Sequence, residues 1–597
     1  MTPFEVERIP FSSPAISRWA AGDERRSNWP VVYVLDSGDS SDISYVYVGE
    51  TVNATSRMRQ HLANPAKSVF RSVRVVIDET FNKSACLDLE SHLIRWLAGD
   101  GQFTVMNGNE GIIDARYYSR DLYRESFRDI FEKLRADGIF QRTIPEIENS
   151  DLFKLSPFKV LTPEQAVAVE NIVEDLFEAL DTQTSSASVI EGQPGTGKTI
   201  VAIFLMKLLA DIRDYDDNEE IEPDSMFAEF FVHGNRELLA GLRIGFVVPQ
   251  QSLRESIKRV FRKTPKVSES QILTPFDGGA SDEPWDLLIV NETHRLNHRA
   301  NQSSGVNNKR FRVINEKLFG KDDPSKTQLD WIRSQSLHQI YLLDTEQTVR
   351  PADLPADVLH SLVDEARRNQ RRYPLASQMR VRAGADYVDY VRALLRGEAA
   401  IAPPDFGDYD LRFFDNLAEM QREIRHRDNE YGLARLVAGY AWDWKSRRDK
   451  SAFDIELDGV RLRWNSQAKD WINSPRSVDE VGSIHTVQGY DLNYAGVIIG
   501  NDLRYNPLSR RIFIDRDSYR DSKGKENNKQ RGIVYTDSDL LEFIRNIYGV
   551  LLTRGMRGTY LYVCDPDLRR YFVQALGARR LSPGSGSSNC RALPAGQ

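Results

Sequence analysis

Cysteine is nearly missing from this chain: there are three in 597 residues, Cys86, Cys564 and Cys590, far apart. That scarcity excludes a disulfide framework and a cysteine-built zinc cluster, and it points to a reducing compartment, so a cytoplasmic location is expected. Long apolar runs are missing too. No stretch approaches the ~20 residues that a bilayer-spanning helix needs, and residues 1–8 lack the apolar core of a secretory signal. No membrane partner is expected. Nor does charge of one sign dominate: the net value is −8, which does not by itself announce a polyanion partner. The charge is nevertheless segregated. Acid gathers at Asp211, Asp214, Asp216, Asp217, Glu219, Glu220, Glu222 and Asp224, and base at Arg254, Lys258, Arg259, Arg262, Lys263 and Lys266, then again at Arg367, Arg368, Arg371 and Arg372. This is compatible with a nucleic-acid track and equally with solvated helix faces. The length sets an expectation of three or four domains.

Against those absences stands one dense motif. Gly192, Gln193, Pro194, Gly195, Thr196, Gly197, Lys198 and Thr199 read G-x-x-x-x-G-K-T. A small, β-branched run (Ser185, Ala187, Val189, Ile190) enters it as a strand, and an apolar helix pattern from Ile200 to Met206 leaves it. Glycines at these places let backbone N–H groups wrap phosphate oxygens at a helix N-terminus. Lys198 then reaches the β- and γ-phosphates of ATP, and the Thr199 hydroxyl ligates Mg²⁺. Upstream, Thr162 and Pro163 suit an N-cap and first helical position, and Gln165 would be free to meet an adenine edge. Downstream, buried-strand patterns at 243–251, 285–295 and 340–347 each end in polar residues, the second in Asn291, Glu292, Thr293, His294 and Arg295 and the third in Asp344 to Gln347. Buried strands alternating with helices predict a parallel sheet with ligands at the strands' carboxyl ends.

A second series comes later in the chain: Gln378–Met379–Arg380–Val381–Arg382, then His485–Thr486–Val487–Gln488–Gly489–Tyr490–Asp491, then Leu551–Leu552–Thr553–Arg554–Gly555, the last two each leading into a strand pattern. In this order, over residues 158–570, the motifs resemble a superfamily-one helicase with two RecA-like lobes, and their wording is similar to the Schlafen-type branch. The resemblance implies that Glu292 polarises the attacking water and that Gln347 senses the γ-phosphate between lobes. It further implies that Arg380 and Arg554, from the second lobe, neutralise charge in the transition state. Gln488, Gly489 and Asp491 fall in a nucleotide-contacting motif. One departure stands out: Asn291 occupies the place of a metal-holding Asp, which keeps an acceptor oxygen, loses a charge and should lower metal affinity.

Residues 31–110 carry separate chemistry. Two β-rich runs hold Tyr33 and Tyr47, with Gly49 after the second; one helix pattern carries Arg57 and His61 at i, i+4; a second presents Glu90; and Asn107 closes the segment. This order resembles a GIY-YIG nuclease domain with a degenerate signature. The resemblance implies that Glu90 holds Mg²⁺ or Mn²⁺, that Tyr33 or His61 acts as general base with Tyr47 positioning water, and that Arg57 neutralises the phosphate, with Asn107 counted in the site.

The fold expected is α/β: a small GIY-YIG α/β nuclease domain at 1–114, a helical connector at 115–158, two RecA-like parallel-sheet lobes at 159–370 and 371–575, and a disordered tail at 576–597. The stretch 446–476, with Trp464 and Trp471, is either an insertion touching nucleic acid or a capped core. The function expected is an ATP-dependent motor on DNA, with RNA as the alternative, fused to a metal-dependent endonuclease of phage defence or genome maintenance. Two others stay open: an ATP-gated sensor that does not unwind processively, and a binding module with a silent amino-terminal domain. A homo-oligomer and a defence-system partner protein also stay open.

Overall fold

The computed structural model describes residues 4–38, 43–108, 117–215, 226–299, 305–399, 404–467, 471–487, 490–529 and 531–576. The acidic residues from 216 to 224, the pair Gln488 and Gly489, and the tail beyond 576 lie outside the described residues.

The amino-terminal sheet holds β1 (Glu5–Pro10), β2 (Val31–Asp36), β3 (Tyr45–Thr51), β4 (Ser72–Ile77) and β5 (Thr104–Val105) in the order β1-β4-β2-β3-β5. Only the β3/β5 pair is parallel. β2 and β4 are buried along their whole length because both faces are covered, and the one arginine in β4, Arg74, pairs with Asp36 of β2. Val32, Val34, Val46 and Val48 pack against the helices Lys83–Asp100 and Arg120–Ala136, and Val31, Tyr33, Leu35 and Val75 pack against Met58 and Ile16. Phe127, Ile130, Phe131 and Leu134 of the helix Arg120–Ala136 lie in the first of these cores, so this part of the segment expected as a connector completes the layer behind the sheet.

A six-stranded parallel sheet comes next: β6 (Ser186–Gly192), β7 (Ile244–Val247), β8 (Ile272–Leu273), β9 (Trp285–Val290), β10 (Ser336–Leu343) and β11 (Arg372–Leu375), ordered β11-β6-β10-β9-β7-β8. β11 lies beyond the lobe boundary expected at 370/371 yet pairs with β6, so the first sheet extends past that point. The helix Pro163–Asp181 starts at a full capping box: Thr162 accepts from Gln165 N, and the Gln165 side chain accepts from Thr162 N. Asp151 accepts from Ser256 Oγ (2.8 Å) and pairs with Arg259, which ties the helical segment after the nuclease sheet to this lobe.

By compactness the chain forms two units. The first takes residues 1–380, 431–433 and 522–536, and the second takes 381–430, 434–521 and 537–597. Within the first unit, Asn528 Nδ2 donates to the Arg299 carbonyl (3.1 Å), and Tyr535 Oη donates to the Pro351 carbonyl (2.9 Å). The second unit holds β12 (Asp410–Phe413), β13 (Ala434–Ala438), the hairpin β14 (Ile455–Leu457) and β15 (Val460–Leu462), β16 (Val481–Ser483), β17 (Leu492–Ile499), the hairpin β18 (Leu503–Asn506) and β19 (Arg511–Ile514), and β20 (Gly555–Val563). Its main sheet is parallel, ordered β12-β20-β17-β13-β16. Trp464 and Trp471 are each 1 % exposed, and Trp471 donates to Glu480 (2.8 Å), so the two indoles of that stretch belong to a core.

One ion pair inside the first lobe is fully enclosed. Lys207 and Asp211, one turn apart on the helix Lys198–Arg213, are 1–2 % exposed, with Lys266 3.7 Å from the same carboxylate. Removing the anion strands buried positive charge, so Asp211→Ala should cost about 3–5 kcal/mol, whereas Lys207→Met with Asp211→Leu should recover most of that loss. Thermal unfolding of the two variants beside the native protein measures the difference.

Candidate active sites

The P-loop is held by close approaches that leave no room for side chains. Gly195 (φ +90°) and Gly197 (φ +82°) adopt left-handed backbone. A Cβ at Gly195 would stand 2.0 Å from Gln378 Oε1, one at Gly197 2.3 Å from Gln165 Nε2, and one at Gly192 2.9 Å from the Leu375 carbonyl. Gln378 Nε2 donates to the Pro194 carbonyl (2.6 Å), Met379 N to the Gly195 carbonyl (2.9 Å), and Thr196 Oγ1 to the Gln193 carbonyl (3.0 Å). Lys198 is 6 % exposed and its ammonium donates to the Gly192 and Gln193 carbonyls (2.6 and 3.0 Å), inside the loop.

Gln165 departs from expectation. It is 2 % exposed, its amide N–H donates to the Thr196 carbonyl (2.8 Å), and its carbonyl serves the capping box, so it props the P-loop rather than waiting for a base edge. The T-x-x-Q spacing before an apolar helix is the sequence signal for that role. Arg380 departs as well: expected from the second lobe, it is the last residue of the first stretch of unit one, and its Cβ lies 2.8 Å from where a Gly195 Cβ would stand. Its N–H donates to Gln378 Oε1 (2.9 Å).

At the carboxyl ends of β9 and β10 the structure gathers a second set of groups. Thr199 Oγ1 donates to Asn291 Oδ1 (3.2 Å), which puts two oxygens suited to a hard cation side by side. Asn291 is fully buried, and its Nδ2 finds no partner among the described residues. Glu292 sits in left-handed backbone (φ +50°, ψ +49°), a strained conformation for a residue with a Cβ and one that clusters at functional sites. Burial alone would raise its carboxyl. The His294 ring, Lys198 and Arg295 outweigh that and hold it below the ordinary carboxylate range. Sequence reasoning gave His294 no role, yet it is fully buried, with Nε2 3.0 Å from Glu292 Oε2. Asp344 N donates to its Nδ1 (3.3 Å), so one ring nitrogen faces the end of β10 and the other faces Glu292. Gln347 Nε2 in turn donates to Asp344 Oδ2 (2.9 Å), so the ends of the two strands are linked residue by residue.

In the second unit, Arg554 is 3 % exposed and donates to the Tyr490 carbonyl (3.1 Å), with Asp491 half-buried just before β17.

The amino-terminal site forms where β2 pairs with β3. Tyr33 lies opposite Gly49, and a Cβ there would stand 2.2 Å from the Tyr33 hydroxyl. That hydroxyl shares a hydrogen bond with His61 Nε2 (2.7 Å) and accepts from Arg57 Nε (3.4 Å). Tyr47 sits edge-on to His61 (centroids 5.3 Å), and Lys67 holds its ammonium 3.1 Å from the centre of the Tyr47 ring. Lys67 was not singled out from sequence, because it lies past the helix Ala54–Ala63 in a short turn without a pattern. Burial, and then Tyr47, push the Tyr33 phenol well up; Arg57 pulls it down, and Glu90 on the helix Lys83–Asp100 is near enough to raise it. Tyr33, Tyr47, Arg57, His61 and Glu90 thus share one neighbourhood. Asn107 does not belong among the reacting groups. Its side chain accepts from Val48 N (3.1 Å) and donates to Val48 O (2.8 Å), replacing a strand partner on β3. Among the described residues no cluster of three or more His, Cys, Asp or Glu side chains is placed to hold a metal.

Burial, then the charges of Lys67 and Arg57, push the His61 imidazole down to about 3 from 6.5. Between those values the unfolded chain binds the proton and the folded one does not, so stability is lost as the pH falls through that window. Native protein should therefore lose roughly 1 kcal/mol per pH unit more than His61→Phe between pH 6 and pH 4, read from denaturant midpoints.

Comparison with known proteins matches two family models, a GIY-YIG catalytic domain over residues 30–101 and the Schlafen group 3 DNA/RNA helicase domain over residues 185–565. An uncharacterized protein of Saccharomyces cerevisiae, YPL245W, is 31 % identical over 415 residues, covering 65 % of this chain and 83 % of the yeast protein. Among solved structures, Pif1 helicase from Bacteroides with ADP-AlF3 and ssDNA aligns over 65 % of this chain and 91 % of that one, at 9 % identity and a TM-score of 0.23. A DEAD box protein of Methanococcus jannaschii aligns over 69 % and 94 %, at 12 % and 0.20. Scores this low carry no argument about function. Among the described residues no helix is long and apolar enough to cross a membrane. With the helicase-domain match spanning most of the chain and the nuclease match falling on the Tyr33–His61 sheet, this protein belongs to the Schlafen group 3 DNA/RNA helicase-domain family and carries a GIY-YIG nuclease domain ahead of that helicase-like part.

Proposed function

We propose that this protein is an ATP-driven motor on nucleic acid, DNA first and RNA as the alternative, coupled to a metal-dependent endonuclease, with a role in phage defence or genome maintenance. The observation that carries the reading is the group at the ends of β9 and β10: an ionised Glu292 oriented by His294, beside Thr199 and Asn291 and next to the P-loop. In this reading the P-loop amides and Lys198 bind the β- and γ-phosphates, and Glu292 takes a proton from the attacking water as it reaches the γ-phosphorus. Arg380 and Arg554 offset the charge that develops. Mg²⁺, held by Thr199 and Asn291, would supply charge neutralisation on the phosphate oxygens.

At the nuclease site, Tyr33 or His61 takes the proton of the attacking water, and the contact between the two, with Arg57 beside the Tyr33 hydroxyl, holds that base in place. Tyr47 positions the water, and the phosphate's growing charge falls to Arg57 and Lys67. A divalent cation on Glu90, Mg²⁺ or Mn²⁺, would supply stabilisation of the leaving oxygen.

Asn291 favours a second reading, an ATP-gated sensor that switches shape without processive unwinding. A carboxamide in a fully buried position, with its amide nitrogen unpartnered among the described residues, holds a cation less tightly than a carboxylate.

Two measurements test these readings. Lys198→Ala should abolish ATP hydrolysis, and Asn291→Asp should lower the Mg²⁺ needed for half-maximal turnover by on the order of tenfold with little change at saturation. Hydrolysis created only by Asn291→Asp would install the sensor reading instead. Separately, Glu90→Ala should eliminate Mg²⁺- or Mn²⁺-dependent cleavage of DNA and RNA substrates and leave ATP hydrolysis intact. Equal cleavage by Glu90→Ala and native protein would remove Glu90 from the site.

A further inference from the structure

The second unit carries an aromatic face at the carboxyl edge of its parallel sheet. The chain leaves β13 at Ala438 and runs through Gly439, Tyr440, Ala441, Trp442, Asp443 and Trp444. The Tyr440 ring stacks on Trp464 (centroids 5.6 Å, planes 28° apart), and Trp442 meets the same indole at 6.4 Å. His485, exposed on the short helix Ile484–Val487 after β16, lies 5.6 Å from Tyr440. Trp464 is buried and forms the floor, whereas Tyr440 and Trp442 are half-buried and present ring surface to solvent.

This loop is fixed in place. A Cβ at Gly439 would stand 2.6 Å from the Tyr548 hydroxyl, and one at Gly500 2.1 Å from Ala441 Cβ and 3.1 Å from the Trp442 indole. Arg520 N donates to the Tyr440 carbonyl (2.7 Å). Rings held this way lose little conformational freedom when another ring settles on them. The rim is cationic. Directly after Trp444 come Lys445, Arg447, Arg448 and Lys450, all exposed, against only Asp443 and Asp449, and the Arg447 guanidinium sits 5.7 Å over the Trp444 ring. Flat π-surface bordered by exposed cations matches a polymer that alternates bases with phosphates, and it matches neither a lipid surface nor an aliphatic peptide groove.

We propose that Tyr440, Trp442 and His485 form a base-stacking platform for single-stranded nucleic acid, with Lys445, Arg447 and Arg448 meeting the phosphates of the same strand. The platform rests on the proposed action on nucleic acid and adds Tyr440 and Trp442 to it, with His485 at the head of the motif that runs to Asp491. It contacts bases through their faces, so it grips DNA and RNA single strands without regard to sequence.

Fluorescence anisotropy on the full chain tests it with labelled oligo(dT), oligo(rU) and an abasic phosphodiester strand of equal length. Tyr440→Ala, Trp442→Ala and Trp442→Leu should each weaken oligo(dT) and oligo(rU) by ~10-fold or more, while Trp442→Phe stays within ~3-fold of native. The abasic strand should bind native and Trp442→Ala protein alike, and the dependence of affinity on salt should keep its slope. In Arg447→Ala with Arg448→Ala, by contrast, that slope should fall by about one to two. Native-like oligo(dT) binding by all three ring-removing variants, or equal loss on the base-bearing and abasic strands in all three, overturns the platform and leaves the nucleic-acid reading standing. Failure of the native protein to bind any of the strands overturns both.

Discussion

The hydrogen bond from Gln165 to the Thr196 carbonyl, packed where a Gly197 side chain would have to go, organises the nucleotide-binding end of this molecule. It joins the first turn of one helix to the loop that starts another. From the other side, Gln378 and Met379 bond the Pro194 and Gly195 carbonyls, while Glu164 accepts from Ala376 and Ser377 N–H groups. The P-loop is thus clamped between the capping turn of one helix and the chain that leaves β11. Three glycines are required there for steric reasons, because each faces a side chain or carbonyl closer than any Cβ tolerates. A loop so clamped meets phosphate with its amide groups already aimed, and little ordering cost remains at binding.

The two sites solve the problem of an ionisable group in opposite ways. At Glu292, neighbouring cations overcome desolvation and keep a buried carboxyl charged, as a base must be. At Tyr33 and His61, burial holds both partners neutral, with Tyr47 adding to it at the phenol and Lys67 and Arg57 at the imidazole. Arg57 favours a phenolate and disfavours an imidazolium, so a proton transfer from Tyr33 to His61 is helped at one end and opposed at the other.

Much of this was legible in the residues, and what was not has physical reasons. Pattern and spacing located the P-loop, the strands that carry Asn291 and Gln347, and the nuclease hairpin, because short-range periodicity encodes them. Partner choice was less legible. Asn107 reads as a polar residue at the right interval, yet it serves as a backbone surrogate for Val48, a pairing 59 residues away in the chain. Gln165 carried a capping signature that predicts occupation of its carbonyl, and the stronger motif of the P-loop downstream masked it. Lys67 and His294 act through space, one on a ring and one on a carboxylate, and no interval in the sequence marks either.

The division of the chain has a consequence for how such a protein is inherited. Residues 522–536 interrupt the second unit and fold with the first, as do residues 431–433. Neither unit is therefore a contiguous stretch of gene. A recombination event that swaps everything after Arg380 carries Asn528 and Tyr535 away from the carbonyls of Arg299 and Pro351 that they bind. An exchange at that point thus breaks the first unit, whereas the nuclease match at 30–101, with β1, β5 and the helix Arg120–Ala136 that complete its sheet and core, lies in one uninterrupted segment of coding sequence.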